Sequence, residues 1–392
     1  MFAVLDRARK LSALMVAFAA TLFLAACGAT VSNTGGPRID TSQPVPVALL
    51  VPGGSASATD NALASSLENA ARLAMSELDG VNIDLRVYNT AGNAGTASSQ
   101  AQAAVADGAK IILGPVYADN AAAAGVAAAQ RGVNVLAFSN NPSVAGGNVF
   151  ILGNTFENTA KRMVSYAARQ NRGNIMVVYG QSPAETLARD AILQAIASTP
   201  GASQAGSAGF ELSQNGVVQA IPGISSQVKS SGATSVFLTS GTDGALPFAS
   251  SLLSENGVRP PEVQYLGMQR WDIPATALTL SGVQGGWFAL PDPDLSGRFT
   301  QRYEAAYGAA PHPIAGLAYD GIAAIGALVK AGNSNALSGS ALTQSQGFVG
   351  VSGVFRLRSD GTNERGLAVA QIQNQQVVVI DPAPRSFSGV GF

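Results

Sequence analysis

KIILGPVYADNAAAAGVAAAQRGVNVLAFSNNP, residues 110–142, decides the fold class. KIILGP (110–115) is a short apolar run that ends in a Gly-Pro turn. Asp119 then opens DNAAAAGVAAAQRG, an Ala-rich stretch of strong helix formers. NVLAFSNNP (134–142) is a second apolar run, closed by Asn and Pro. Two apolar runs bounded by turn residues and separated by one helix form a βαβ unit, whose right-handed crossover makes the strands parallel.

The alternation continues in both directions. Upstream, VPVALLVPG (45–53) precedes a helix with Leu63, Leu67, Ala71, Ala74 and Leu78 on one face and Thr59 or Asp60 as its cap. NIDLRVYN (82–89) is the next strand, and an Ala-rich helix covers about 95–107. Downstream the series restarts: a helix over 156–170, the strand NIMVVYG (174–180), and the capping box Ser182-Pro183-Ala184-Glu185. SVFLTSG (235–241), VQYLGMQ (263–269) and GGWFALP (285–291) are further strands, with a helix from Asp243 to about Glu255 and two more over 296–307 and 314–330. GVFRLRSDG, GLAVAQIQ and QVVVIDP read as short antiparallel strands with Asp360-Gly361 as a turn. The expected fold class is α/β: two doubly wound parallel-sheet lobes with an interlobe cleft, and short antiparallel strands at the C-terminal end. Ligands of such sheets bind at the carboxyl ends of the strands.

Composition narrows the chemistry. The 392 residues carry 23 Lys+Arg against 24 Asp+Glu, a net charge of -1, which leaves no basic footprint for nucleic acid. One Cys and one His exclude a disulfide framework, a Cys-based zinc site and a multi-His metal site. There is no P-loop, no paired-carboxylate motif and no Gly-x-Ser-x-Gly elbow. His312 sits between two prolines and reads as a surface-loop residue. The expectation is a protein that is not an enzyme and needs no cofactor or metal.

Residues 1–27 read as a targeting segment, with Arg7, Arg9 and Lys10 before an apolar stretch too short to span a bilayer comfortably. It ends Leu24-Ala25-Ala26-Cys27, which resembles the bacterial lipobox. That resemblance implies lipidation of Cys27 and anchorage at the periplasmic face of the envelope. Gly28, where an Asp would imply inner-membrane retention, tilts the expectation to the outer membrane. Residues 28–44, rich in Gly, Ser, Thr and Pro, read as a flexible tether.

VALLVPGG, AARLAMSEL, AKIILGP, NVLAFSNNP, NIMVVYG and the late Tyr319-Asp320, in this order and spacing, resemble the type I periplasmic binding proteins of the leucine-binding kind over nearly all of 45–381. GGWFALPDPD, FTQRYEAAYGAAPHPIAGLAYDG and GFVGVSGVFRLRSDGTNERGLAVAQI further resemble the penicillin-binding protein activator branch of bacterial lipoproteins. The parent family crosses between lobes three times. This implies a first lobe of 45–152 plus 292–345 and a second of 153–291 plus 346–392. The implied function is a lipid-anchored regulator of peptidoglycan synthesis that contacts a peptidoglycan synthase. The alternative is the substrate-binding lipoprotein of an ABC transporter, partnered by a permease, for amino acids or related small polar solutes.

The candidate ligand-binding residues sit at strand ends. Gly54 and Ser55 follow the first strand and Tyr117 the third. Ser139, Asn140 and Asn141 follow the fourth, and Tyr179 ends NIMVVYG. Gln269 and Trp271 follow VQYLGM. The resemblance implies a hydroxyl-rich stretch after the third strand and an acid in the second lobe. This chain has Pro115-Val116-Tyr117-Ala118-Asp119 at the first place and neutral Gln269 beside Arg270 at the second, with Asp272 close enough to substitute. Asp60, Asp119 and Asp243 read as helix caps, and Arg356, Arg358 and Arg365 as the solvated face of a hairpin.

Overall fold

The computed structural model describes residues 36–387. The leader, Cys27 and the first part of the tether lie outside the described residues. Among those described, no helix is long and apolar enough to cross a membrane.

The first sheet is wholly parallel. β1 (Val45–Val51), β2 (Ile83–Asn89), β3 (Ile111–Leu113), β4 (Asn134–Ala137) and β5 (Val149–Ile151) lie in the order β2-β1-β3-β4-β5. Alternate residues of β1 enter different cores, because a sheet with helices on both faces buries both. Val47, Leu49 and Val51 join one cluster, while Ala48 and Leu50 join the other. The second cluster is filled from α2 (Ala94–Ala106) and α3 (Ala118–Ala129) by Ala101, Ala104, Ala121, Ala124 and Ala128. The first is filled from α1 (Ala58–Ser76) by Leu63, Leu67 and Ala71.

After α4 (Phe156–Arg169) the second sheet begins with β6 (Asn174–Gly180). α5 (Pro183–Ser198) leads to β7 (Ser203–Phe210), and α6 (Gln214–Ser230) to β8 (Ser235–Leu238). α7 (Leu246–Glu255), β9 (Gln264–Gly267) and β10 (Trp287–Leu290) complete its parallel part. The chain then returns through α8 (Pro293–Tyr307) and α9 (Gly316–Lys330), whose Phe299, Tyr303, Ile322 and Ile325 enter the first lobe's core.

The terminal strands are antiparallel, as the sequence led us to expect, but they divide between two sheets. β11 (Phe348–Gly350), β12 (Gly353–Leu357) and β13 (Asn363–Arg365) form a small sheet of their own. β14 (Ala368–Gln373) and β15 (Gln376–Asp381) extend the second sheet beyond β10. Phe348, Val351, Phe355 and Leu357 pack in the first lobe's core. The return to the second lobe therefore comes just before β14, later than the expected boundary at 345/346. Residues 36–44 are not a free tether either. Ile39 is 6% exposed, packs in the first core, and donates its N–H to Ser334 O at 2.9 Å.

Side chains stitch the crossings together. Asn363 Nδ2 donates to Ile151 O and Gly153 O, each at 2.8 Å, and Arg365 Nε donates to Leu152 O at 2.8 Å. From the second lobe, Arg162 Nε donates to Leu367 O at 2.6 Å and pairs with Asp381. Asp292 N donates to Ser352 O at 3.0 Å. Buried carbonyls of irregular chain need such donors, since an unpaired one carries a desolvation cost.

Candidate functional site

A cavity of about 550 Å³ lies between the lobes. The first lobe contributes Val116, Phe138, Ser139, Asn140, Ile314 and Leu317. The crossings contribute Gly153, Asn154, Thr155, Pro291, Arg365 and Leu367, and the second lobe adds Phe156, Thr159, Met268, Gln269, Arg270 and Ile273. The wall is thus made of strand ends, the start of α4 and the connecting segments. Gly114 brings the loop after β3 close to β1: its φ is 88°, and a Cβ there would collide with Leu50 O.

Three of the expected residues, Ser139, Asn140 and Gln269, line this cavity. Ser139 Oγ accepts the Asn141 N–H at 3.1 Å, and Gln269 Nε2 donates to Thr239 O at 3.4 Å. Asn141 itself is used locally, its Oδ1 accepting the Ser143 N–H at 2.9 Å. Gly54 and Ser55 form a turn outside the cavity wall, where Gly54 N donates to Asn61 Oδ1 and Ser55 Oγ accepts from Ser57 N, both at 2.9 Å. Tyr117, 38% exposed, donates its hydroxyl to Asp60. That bond, with desolvation, raises the Tyr117 phenol above its usual range. Tyr179 lies under Arg189, whose guanidinium is 4.8 Å from the ring centroid and whose Nη1 donates to the Tyr179 hydroxyl at 3.1 Å.

Trp271 is in the second lobe's core, and this corrects its placement at the cleft. It is 0% exposed and stacked on Phe288 at 6.3 Å. Gly286 and Gly267 leave the slot it fills, since a Cβ on either would run into the indole. The helix caps are also corrected. Ser57 rather than Thr59 or Asp60 caps α1, Tyr117 occupies the N-cap position of α3, and α7 starts at Leu246, beyond Asp243. The expected capping box is only half made: Glu185 N donates to Ser182 Oγ at 3.2 Å, but Ser182 N donates to Gly180 O and leaves the Glu185 carboxylate for other partners. Its Oε2 accepts from Gly180 N (2.7 Å), Thr239 Oγ1 (2.6 Å) and Ser240 Oγ (2.8 Å), joining the ends of β6 and β8.

The largest departure concerns Arg365, read as solvated and found 7% exposed on the cavity wall. Its Nη1 pairs at 3.2 Å with Asp320, which is 0% exposed. Burial pushes the Asp320 carboxyl up, opposed by Arg365 and by the Val351 N–H that it accepts at 2.7 Å. Gly350 packs so closely on this carboxylate that a Cβ would collide with it. Arg270 pairs with Asp272, its Nε donating at 2.9 Å, so the acid offered as a substitute ammonium partner is already taken. His312 is half-buried, its backbone N–H donating to Ser66 Oγ at 2.8 Å, and burial lowers its pKa. Among the described residues, no group of three His, Cys, Asp or Glu could hold a metal ion.

No curated protein matches the sequence. Solved structures of the same fold are numerous. A protein of Rhodospirillum rubrum superposes with a TM-score of 0.72 at 16% identity, covering 86% of this chain and 100% of that one. A branched chain amino acid ABC transporter periplasmic ligand-binding protein of Burkholderia xenovorans LB400 gives 0.66 at 18% identity, covering 87% and 96%. An ABC transporter substrate-binding protein of Desulfitobacterium hafniense, in complex with Leu, gives 0.63 at 15% identity, covering 86% and 100%. Residues 44–376 match the periplasmic binding protein family itself, and with two parallel-sheet lobes around a shared cavity the chain belongs to that family.

Proposed function

We propose that this protein is the solute-binding component of an ABC transporter, taking a small solute between its lobes and delivering it to a permease. One observation carries the reading: the cavity is walled by both lobes and by the crossings between them, so an occupant bears on how the lobes sit together. The sequence expectation ranked a regulator of peptidoglycan synthesis first. Structural neighbours named as transporter components support the alternative better. The proposed location is the periplasm, with Cys27 as a lipid anchor; the outer-membrane expectation belongs with the regulatory reading, since a permease lies in the inner membrane. Membrane extraction of a Cys27→Ala variant tests that anchor, and undiminished membrane association overturns it.

Thermal melting of the protein against a broad panel of small solutes tests the function. A ligand at about 100 times its Kd adds about 2.7 kcal/mol of stability. Scattering should show contraction in the same samples. A panel without any stabilising solute, together with capture of a peptidoglycan synthase by the purified protein, overturns the transport reading in favour of the regulatory one.

A further inference from the structure

We infer that the interlobe cavity is built for an apolar carboxylic acid that carries no ammonium group. This rests on the solute-binding reading and deepens it by naming the ligand class. The charged side chains on the cavity wall are Arg270 and Arg365, and among the described residues no Asp or Glu lines it. Each guanidinium is held from behind by a carboxylate that is not part of the wall: Arg270 by Asp272, and Arg365 by Asp320. Each also keeps N–H donors in reserve. Arg270 binds Asp272 through Nε and Nη2, which leaves Nη1. Arg365 Nη2 is buried and has no acceptor.

An orphaned guanidinium N–H in a residue more than nine-tenths buried is costly, but Nη2 is itself closed to water here, so a ligand acceptor reaches it only in a lobe arrangement that uncovers it. Two further features share its sign. Thr155 and Phe156, at the positive end of the α4 dipole, belong to the wall. Ser139 Oγ uses a lone pair on Asn141 N and still has its own proton to give. An ammonium at this wall finds no carboxylate partner, because Asp272 and Asp320 are each committed to an arginine. A carboxylate finds charge-assisted donors, which are stronger than neutral ones. Most of the remaining wall is apolar, with Phe138, Phe156, Met268, Ile273, Ile314 and Leu317, while Asn140, Asn154, Thr159, Gln269 and Ser352 add neutral polar groups, so the acid's body is mainly hydrocarbon or aromatic with room for a hydroxyl.

Calorimetry and melting of the purified protein with 4-methylpentanoate, benzoate, leucine, 4-methylpentanamide and 4-methylpentylamine test this. At least one of the two acids should bind. Leucine, the amide and the amine should each be weaker than 4-methylpentanoate by at least about tenfold, a difference of about 1.4 kcal/mol. Arg270→Gln, at a partly exposed position, should weaken the acid by about tenfold or more and leave the amide nearly unchanged. Gln269→Glu, which places a carboxylate on the wall, should also weaken the acid and narrow its lead over leucine. Leucine or the amide binding as tightly as 4-methylpentanoate overturns the ligand class and leaves the solute-binding reading standing. So does binding of some other solute with no response to either acid. Failure of every solute overturns both.

Discussion

Replacing Asp320 by Ala should be among the most damaging single substitutions in this protein. The carboxylate is 0% exposed, its Oδ2 lies 3.2 Å from Arg365 Nη1, and its Oδ1 accepts the Val351 N–H at 2.7 Å. At 3.2 Å and an effective dielectric of about 20, the attraction between the two charges is about 5 kcal/mol. Truncation leaves a guanidinium that is 7% exposed without a counter-charge and strips a buried N–H of its acceptor. Breaking a buried pair in this one-sided way costs about 3–5 kcal/mol, a large part of the roughly 5–15 kcal/mol that holds a folded domain together. Urea unfolding should therefore show a much lower midpoint for Asp320→Ala. Asp320→Asn, which keeps an acceptor for Val351, should fall between it and wild type. The double variant Asp320→Leu/Arg365→Met should recover part of the loss, since neither charge is then desolvated, while the Val351 N–H and Leu152 O stay without their partners. A loss below about 1 kcal/mol for Asp320→Ala, or a double variant worse than the single one, would refute the assignment of this pair as a buried and mutually dependent unit.

Other expectations are simpler. Glu364 is buried. Desolvation raises its pKa, but hydrogen bonding to Arg356 and the nearby Lys161 charge outweigh this and hold the carboxyl below its usual 4.5. A depressed carboxylate adds stability above the unfolded-state pKa and loses it as pH falls through the folded-state value. Glu364→Gln should therefore narrow the stability gap between about pH 6 and pH 3, and an unchanged gap in urea midpoints would contradict this. Trp271→Ala should cost about 3–5 kcal/mol by emptying a packed slot, yet leave solute affinity in the folded protein unaltered, as read by calorimetry. Tyr117→Phe removes only an exposed hydrogen bond to Asp60 and should change stability by less than about 1 kcal/mol in the same denaturation assay.

What the sequence made legible follows from which signals are local. Apolar runs such as VALLVPGG and IILGP announce strands because a parallel sheet buries both faces and needs hydrophobic residues at consecutive positions. β7, SQAGSAGF, gives no such signal. It is an edge strand whose Gly206 and Gly209 pack against Met176 and Tyr179, so small residues serve where bulky ones would not fit. The cavity was partly legible in the same way: Ser139, Asn140 and Gln269 sit directly after strands and reach the wall. Trp271 sits equally close to a strand end but turns inward, because Gly267 and Gly286 provide room that no local pattern advertises. Arg365 was missed for the opposite reason. In Thr-Asn-Glu-Arg-Gly it looks solvated, and the partner that makes its burial tolerable is Asp320, 45 residues away on α9.

The position of that pair also bears on how the cavity could couple to lobe motion. Asn363 and Arg365 hold the first and third crossings side by side through the carbonyls of residues 151–153, and Arg162 fixes the start of β14 to α4 through Leu367 O. These lateral bonds stiffen the crossings where they touch. Bending is then left to the stretches between such bonds, around Asn154 and Pro291, since Gly366 N donates to Val354 O at 2.8 Å. Asn154 and Pro291 are themselves cavity wall, as is Arg365, whose other nitrogens carry the stitching. Arg365 Nη2 is enclosed in this arrangement, so a ligand engages it only in a lobe arrangement that uncovers it, which is the differential contact that a population shift requires.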